Sequence, residues 1–364
     1  MDWSSQPGDA TWVTPPIVGV ATSTTGLIGE AAQGPVDQAV LVTSLVEYER
    51  VFWGPQPGRE LFLGASHFFL NGGRRAWVVR LGARSAPGIR RGLAALDAVD
   101  DLGLLCLAGL SGGPVLAVAS TYARSRGTFY VAEPAGTRQA TLTAVRAIRT
   151  ADRGHVAVFF PRLRAPDPVQ PGSTVLCGSS AAVAGLLART DTEYGVHAFA
   201  AGTGAHLAGA VGLASSVGDK AAATLRGQGV NGIRQIQSRG IVVWGARTVG
   251  GGRQRDEDWK YVPVRRTALF IEESIERGIE WVDFEPNDEP TWRALRGTVA
   301  SFLGQLFQEG TFAGATPVDA YFVRCGSDTT TQKDIDNGIV VIEIGFAPLR
   351  PAEFVTFSIR HKRR

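Results

Sequence analysis

The sequence predicts an α/β fold in two domains behind an extended N-terminal arm, and three observations predict it. Short, continuous apolar runs at residues 102–107, 128–132 and 155–160 alternate with helical stretches at 115–124 and 138–149. That rhythm is the mark of strand–helix units around a largely parallel sheet. The run Gly250-Gly251-Gly252 then ends it, and the last third carries two long amphipathic stretches followed by successive strands. At the other end, Pro7, Pro15 and Pro16 prevent a helix, because proline fixes φ and lacks an N–H. The boundaries read as an arm over 1–22, an α/β domain over 23–250 and an α+β domain over 251–364.

Element by element, residues 17–21 and 38–42 read as strands. Ser44 caps a helix through Phe52, with Glu47 at the capping-box position. A second helix over 61–70 stops at Asn71-Gly72-Gly73 and leads into a strand over 76–80. Residues 161–172 read as a Pro/Gly-rich loop, 180–188 as an alanine-rich helix, and 241–244 as a strand. Residues 198–218 fit no element.

In the last third, 267–277 is amphipathic, and Asp288 with Pro290 starts a helix to about Phe307. Its apolar stripe is Trp292, Leu295, Val299, Leu303 and Leu306. Strands follow over 318–324, 339–346 and 354–360. In the last of these Val355, Phe357 and Ile359 alternate with Thr356 and Ser358. A terminal strand has two edges to satisfy, so it either completes its own sheet or pairs with a neighbouring molecule.

Composition excludes several functions. With 37 basic and 34 acidic residues the net charge is +3, too balanced for a nucleic-acid binder. The basic run 360–364 reads as a solvated tail. No apolar stretch is long enough to cross a bilayer, and the N-terminus lacks a signal peptide's features, so assembly in the bacterial cytoplasm is expected. The three cysteines, Cys106, Cys177 and Cys325, have no metal or disulfide spacing, and Cys106 reads as a buried thiol. The five histidines show no ligand pattern, and Asp256-Glu257-Asp258 reads as a solvated loop. No metal and no cofactor is expected.

Two motifs imitate enzymes. Gly227-Gln228-Gly229-Val230-Asn231-Gly232 matches a dinucleotide fingerprint, but a helix precedes it and β-like residues follow, the reverse of the required order. Gly109-Leu110-Ser111-Gly112-Gly113 matches a nucleophile elbow, with a strand before and a helix after. A serine hydrolase with Ser111 as nucleophile is therefore the alternative reading. It would need Asp152 or Asp167 with His155, His197 or His206, none of which sits in a triad motif.

Several blocks, taken together and in order, resemble the contractile tail sheath family of phages and extracellular contractile injection systems. They are Thr25–Ala31 with Gly34-Pro35-Val36-Asp37, Phe68–Arg80, Gly154–Pro161, Ala188-Arg189-Thr190-Asp191, Gly240–Thr248, Tyr261–Arg266, Phe270–Ile275, Phe284–Pro290 and Gly338–Phe357. The resemblance implies a subtilisin-like α/β domain without a working triad and a sheath C-terminal domain. It implies a structural protein, not an enzyme, that polymerises as stacked rings around an inner tube and drives that tube out by contraction.

Its partners would be copies of itself, the inner tube protein, and baseplate and tail-terminator proteins, without nucleic acid or membrane insertion. The product would be part of a phage virion or an injection-system particle. Strand exchange between subunits would involve Ile17, Val18, Val20, Phe354, Val355, Phe357 and Ile359. Arg293 and Arg296, off the apolar stripe of the long helix, are the candidates for tube contact. Departures from the family pattern occur at Thr11–Ile17 and at Leu176–Ser180. The chain is compact for the family and resembles a single-chain sheath, unlike a two-protein sheath.

Overall fold

The computed structural model describes residues 14–252, 259–349 and 354–363. Most of residues 1–22, the acidic Asp256-Glu257-Asp258 and Arg364 of the basic run lie wholly or partly outside the described residues. The chain forms two compact units, Ala21–Phe270 and Met1–Val20 with Ile271–Arg364.

In the larger unit the chain runs β1 (Thr25–Gly29), β2 (Ala39–Val42), α1 (Leu45–Phe52), α2 (Leu61–Leu70), β3 (Ala76–Arg80), α3 (Ala86–Ala94), β4 (Leu104–Leu107) and α4 (Gly113–Arg126). It continues with β5 (Phe129–Ala132), α5 (Arg138–Val145), β6 (Val156–Phe160), β7 (Leu163–Pro166), β8 (Thr174–Cys177) and α6 (Ser180–Tyr194). After these come β9 (Gly212–Leu213), α7 (Asp219–Arg226), β10 (Val230–Ile236), β11 (Gly240–Trp244) and the first part of α8 (Val262–Gly278).

An eight-stranded sheet in the order β11-β10-β6-β5-β4-β1-β3-β2 is parallel except at its two edges, β2 and β11. β1, β4, β5 and β6 are buried at every residue, as strands covered on both faces must be. Successive residues feed opposite cores. Leu27 and Cys106 pack with Tyr48, Phe68 and Val183 of α1, α2 and α6. Ile28 and Leu105 pack with Leu93, Leu116, Leu142 and Leu225 of α3, α4, α5 and α7. β7, β8 and β9 make a small antiparallel sheet.

The smaller unit holds the rest of α8, α9 (Glu289–Gln308), α10 (Pro317–Ala320), β12 (Tyr321–Arg324), α11 (Gln332–Asp336), β13 (Ile339–Phe346) and β14 (Val355–Lys362). Its sheet is antiparallel in the order β12-β13-β14. Asp288 caps α9 by accepting from the Thr291 N–H, and the predicted stripe is buried: Trp292, Leu295, Val299, Leu303 and Leu306.

Four expectations are corrected. Residues 17–21 are not a strand; the first strand is β1, whose two glycines masked it. The supposed loop 161–172 contains β7, a short strand hidden by its terminal proline. The run from Val318 is helical as far as Ala320, because Pro317 at its first turn favours a helix start. The helix expected from Thr267 begins at Val262, since Pro263 lies in its first turn, where no intrahelical N–H is needed.

Leu303 is fully buried, so Leu303→Ala is expected to cost ~2–5 kcal/mol. Chemical denaturation of the soluble subunit measures this, and an unchanged midpoint would remove α9 from the core.

Candidate functional site

The carboxyl ends of parallel strands are where an open α/β sheet places its ligands. Here that position is filled by the protein's own side chains. Glu60 pairs with Arg162, which follows β6, and also accepts from the Gly178 N–H at 3.0 Å. Glu133, just past β5, is buried and accepts from the Ser180 hydroxyl at 2.7 Å. A Cβ at Gly178 would stand 2.0 Å from the Glu133 carboxylate oxygens, so only glycine fits there. Burial, and secondly the charge of Glu60, push the Glu133 carboxyl up to about 7.

Ser111 occupies the predicted turn between β4 and α4, where Gly109 and Gly112 take φ of +72° and +104°. It is exposed, and of the residues a triad would need, His155, Asp152 and Asp167 are engaged elsewhere. His155 lies 2.7 Å from the Arg265 guanidinium, and burial, with Arg265 beside it, pushes its imidazole down to about 3. Asp152 accepts from the Thr121 hydroxyl at 2.8 Å, and Asp167 accepts from the N–H groups of Val169 and Gln170. The main chain of His206 bridges to Val242 of β11, and burial lowers the pKa of His197. The Gly227–Gly232 motif runs from the end of α7 into β10, the helix-first order expected for a turn. Among the described residues no group of three or more His, Cys, Asp or Glu side chains is placed to hold a metal ion.

The smaller unit offers a different kind of site. β14 pairs with β13 along its whole length, from Val355 opposite Phe346 to Lys362 opposite Ile339. Of the predicted exchange residues, Val355 and Ile359 are buried, Phe357 is half-buried beside Phe346, and Phe354 stacks on Phe322 with 44% of its surface exposed. Among the described residues the outer edge of β14 carries no strand. β14 thus completes its own sheet and still presents an edge.

The arm residues lie apart from that sheet's ladder. Ile17 is buried in the space left by the missing side chain of Gly278, and Val18 is 76% exposed. The Val20 N–H donates to the Ser274 hydroxyl at 3.1 Å, and Thr14 and Thr298 share a hydrogen bond of 2.7 Å. On α9, Arg293 is exposed, whereas Arg296 pairs with Glu289 at 2.7 Å and donates to the Cys325 carbonyl.

One cluster has no counterpart in the residue-level reading. Arg266 of α8 grips both carboxylate oxygens of Asp191 on α6, at 2.8 and 2.6 Å, and the Thr22 carbonyl at 3.0 Å. The Thr22 hydroxyl donates to the same carboxylate at 2.6 Å. The Arg266 and Asp191 side chains are 4% and 6% exposed. The sequence carried little signal for it, because Asp191 stands among Arg189, Thr190, Thr192 and Glu193 in α6 and Arg266 beside Arg265 in α8.

Glu133 makes stability depend on pH. Its folded pKa of about 7 exceeds the ordinary 4.5, so the folded state holds the proton more tightly. The stabilisation is complete below about 4.5 and is lost as pH rises through about 7. At pH ~8 the ionised acid costs on the order of 3 kcal/mol. Glu133→Gln is therefore expected to raise the melting temperature more at pH ~8 than at pH ~5. Equal shifts at the two values would refute the assignment.

A family profile described as the phage tail sheath C-terminal domain matches residues 254–362. No curated protein matches the chain. Among solved structures, the chain is similar to the sheath of an extracellular contractile injection system, PVC, in the contracted state. The two are 26% identical, with a TM-score of 0.76, over 99% of this chain and 98% of that one. It is also similar to the contracted helical sheath of the anti-feeding prophage, at 27% identity and a TM-score of 0.76, over 99% and 97% of the chains. A sheath tail protein from Listeria innocua shares the fold at 11% identity and a TM-score of 0.70, over 96% and 97%. Residues 254–362 thus match the phage tail sheath C-terminal domain, and over 99% of its length the chain is similar to contractile sheath subunits.

Proposed function

We propose that this protein polymerises into the contractile sheath of a phage tail or an extracellular contractile injection system, encloses an inner tube and drives its ejection. The observation that carries the reading is end-to-end similarity, over 99% of this chain, to the contracted sheath of the PVC system. Contraction is then a passage from a metastable packing of subunits to one of lower energy. Its partners are copies of itself, the inner tube protein, and baseplate and tail-terminator proteins. It assembles in the bacterial cytoplasm, without nucleic acid and without inserting in a membrane. Among the described residues no helix is long and apolar enough to cross one.

In this reading residues 1–22 act as an arm, 23–250 as a subtilisin-like body without a working triad, and 251–364 as the lattice-forming domain. The parallel sheet and the strand–turn–helix at Ser111 support the kinship of the body. Strands pass between subunits through Ile17, Val18 and Val20 of the arm and Phe354, Val355, Phe357 and Ile359 of the last strand. The exposed Val18 and an edge of β14 that pairs with no strand among the described residues support that assignment. Strand addition supplies main-chain hydrogen bonds that survive a change in body packing. Arg293 and Arg296 face the tube, Arg293 as the exposed contact and Arg296 held in place by Glu289.

Negative-stain microscopy of the purified protein tests the reading. Long hollow tubes are expected, and uniform small particles at high concentration would overturn it. Ser111 provides an independent check: Ser111→Ala is expected to assemble as wild type does, and the wild type to resist a fluorophosphonate probe. Stoichiometric labelling that depends on Ser111 would restore the hydrolase.

A further inference from the structure

Two acids press on one glycine at the end of β8, and one arginine is the cation that acts on both. Gly178 donates its N–H to Glu60 at 3.0 Å, while its Cα leaves no room for a Cβ beside Glu133. Arg162 pairs with Glu60 and donates to the Leu176 carbonyl at 3.4 Å. The Ser180 hydroxyl donates to one oxygen of Glu133 at 2.7 Å, and among the described residues nothing donates to the other. With Arg162 balancing Glu60, a second buried negative charge has no counterion, so the site accepts Glu133 as the neutral acid. Its other ionisable neighbours, Cys106 of β4, Tyr130 of β5 and Cys177 of β8, supply no positive charge, and the charge of Glu133 makes each of them harder to ionise.

The segment that rests on this cluster is weakly held elsewhere. Among the described residues β8 pairs only with β7, from Cys177 opposite Leu163 to Thr174 opposite Pro166. Only Cys177 of that strand is buried. The loop before it closes on itself, because the Asp167 N–H donates to the Ser173 carbonyl and the Asp167 carboxylate accepts from Val169 and Gln170. A cleft of about 280 Å³ separates residues 167–170, Val175 and Leu176 from the segment 55–60, so this side lacks packing. Past Gly178 the chain is fixed again, since the Ser179 hydroxyl donates to the Phe159 carbonyl at 2.8 Å and α6 is buried along most of its length.

We propose that residues 167–178 form a flap latched by the proton on Glu133, whose ionisation drives Gly178 and β8 away from the body. The inference goes beyond the sheath reading and does not rest on it. In the open flap Glu133 is hydrated, and its charge no longer faces Glu60 across one glycine. Closed, the carboxyl holds its proton up to about 7; open, it returns to the ordinary 4.5. Opening is therefore rarest below about 4.5, grows as pH rises, and levels off above about 7.

Cys177 reports the flap, because it is buried at the end of β8 and burial pushes its thiol up to about 12 while the flap is closed. Cys106 and Cys325, both buried outside the flap, serve as controls. The full chain is labelled with a pyridyl disulfide from pH ~5 to ~9, and the label is located by peptide mapping. Each rate is divided by that of a small thiol at the same pH, which removes the ordinary gain in thiolate. The Cys177 ratio is expected to rise roughly tenfold or more between pH ~5 and ~7 and then to level off, with Cys106 and Cys325 unlabelled.

Glu133→Gln cannot ionise and is expected to give a flat ratio. A wild-type ratio independent of pH, or the same rise in Glu133→Gln, would overturn the proposal. So would a parallel rise at all three cysteines, which reports global unfolding instead of a flap. If Glu133→Gln does not fold, Ser180→Ala takes its place. Losing the hydroxyl that favours the ionised acid raises the Glu133 pKa, so the levelling is expected to begin at higher pH. Levelling at the wild-type pH in Ser180→Ala would overturn the proposal as well.

Discussion

A strand buried inside a domain cannot leave its main-chain N–H and C=O groups unpaired, because each orphaned group costs its full desolvation. β13 is buried over most of its length, and that constraint organises the smaller unit. On one side β12 covers only Phe346 to Glu343. On the other, β14 covers every residue from Ile339 to Phe346. The groove beside β13 therefore has to be occupied by some strand at all times. Exchanging the occupant for an identical strand replaces one ladder by another, whereas emptying the groove exposes a raw edge.

The larger unit meets the same demand differently at one edge of its sheet, by covering it with its own chain. The outer edge of β11 is covered by residues 202–207, through bonds from Gly202 to Val243, Val243 to Ala205 and Leu207 to Ile241 of 2.8–2.9 Å. At the carboxyl ends of the strands, Glu60, Arg162, Glu133 and Ser180 occupy the place of a ligand. A buried acid with a raised pKa at such a position often marks catalysis. Here it is packed against Gly178 and held by the Ser180 hydroxyl, and the exposed Ser111 has no base bonded to it among the described residues. The elbow follows from joining a parallel strand to the next helix in a tight turn, which needs glycines whether or not chemistry follows.

Elements whose pattern is periodic and whose caps are explicit were legible in the sequence. α9 was marked by Asp288, Pro290 and a five-residue stripe, and all five side chains are buried. The strands at 76–80, 241–244 and 339–346 were continuous apolar runs. Short elements with glycine or proline were not legible. β1 contains Gly26 and Gly29, and a Cβ on either would press on Leu96 or on Leu61 and the Ala108 carbonyl, so those glycines serve packing rather than turning. Residues 17–21 have strand composition, but Ile17 is used against Gly278 of α8 instead of in a ladder. In the candidate site, the alternation of β14 was readable, since period-2 burial is a local property. The pairing of Arg360 and His361 with Asp334 and Asp283 was not, because it joins residues distant in sequence.

The same limit explains Asp191 and Arg266. Each stands in a block that resembles the sheath family, yet neither block alone discloses a reason for its charge. The fold supplies one: both side chains are buried, and with Thr22 they form a closed set of four short hydrogen bonds. A buried ion pair is weak support for stability, because desolvation offsets most of the attraction, but removing one partner is costly and geometry is tightly prescribed. Its position is therefore informative. Thr22 lies at the start of the larger unit, three residues before β1, so the pair anchors the chain's entry into the sheet.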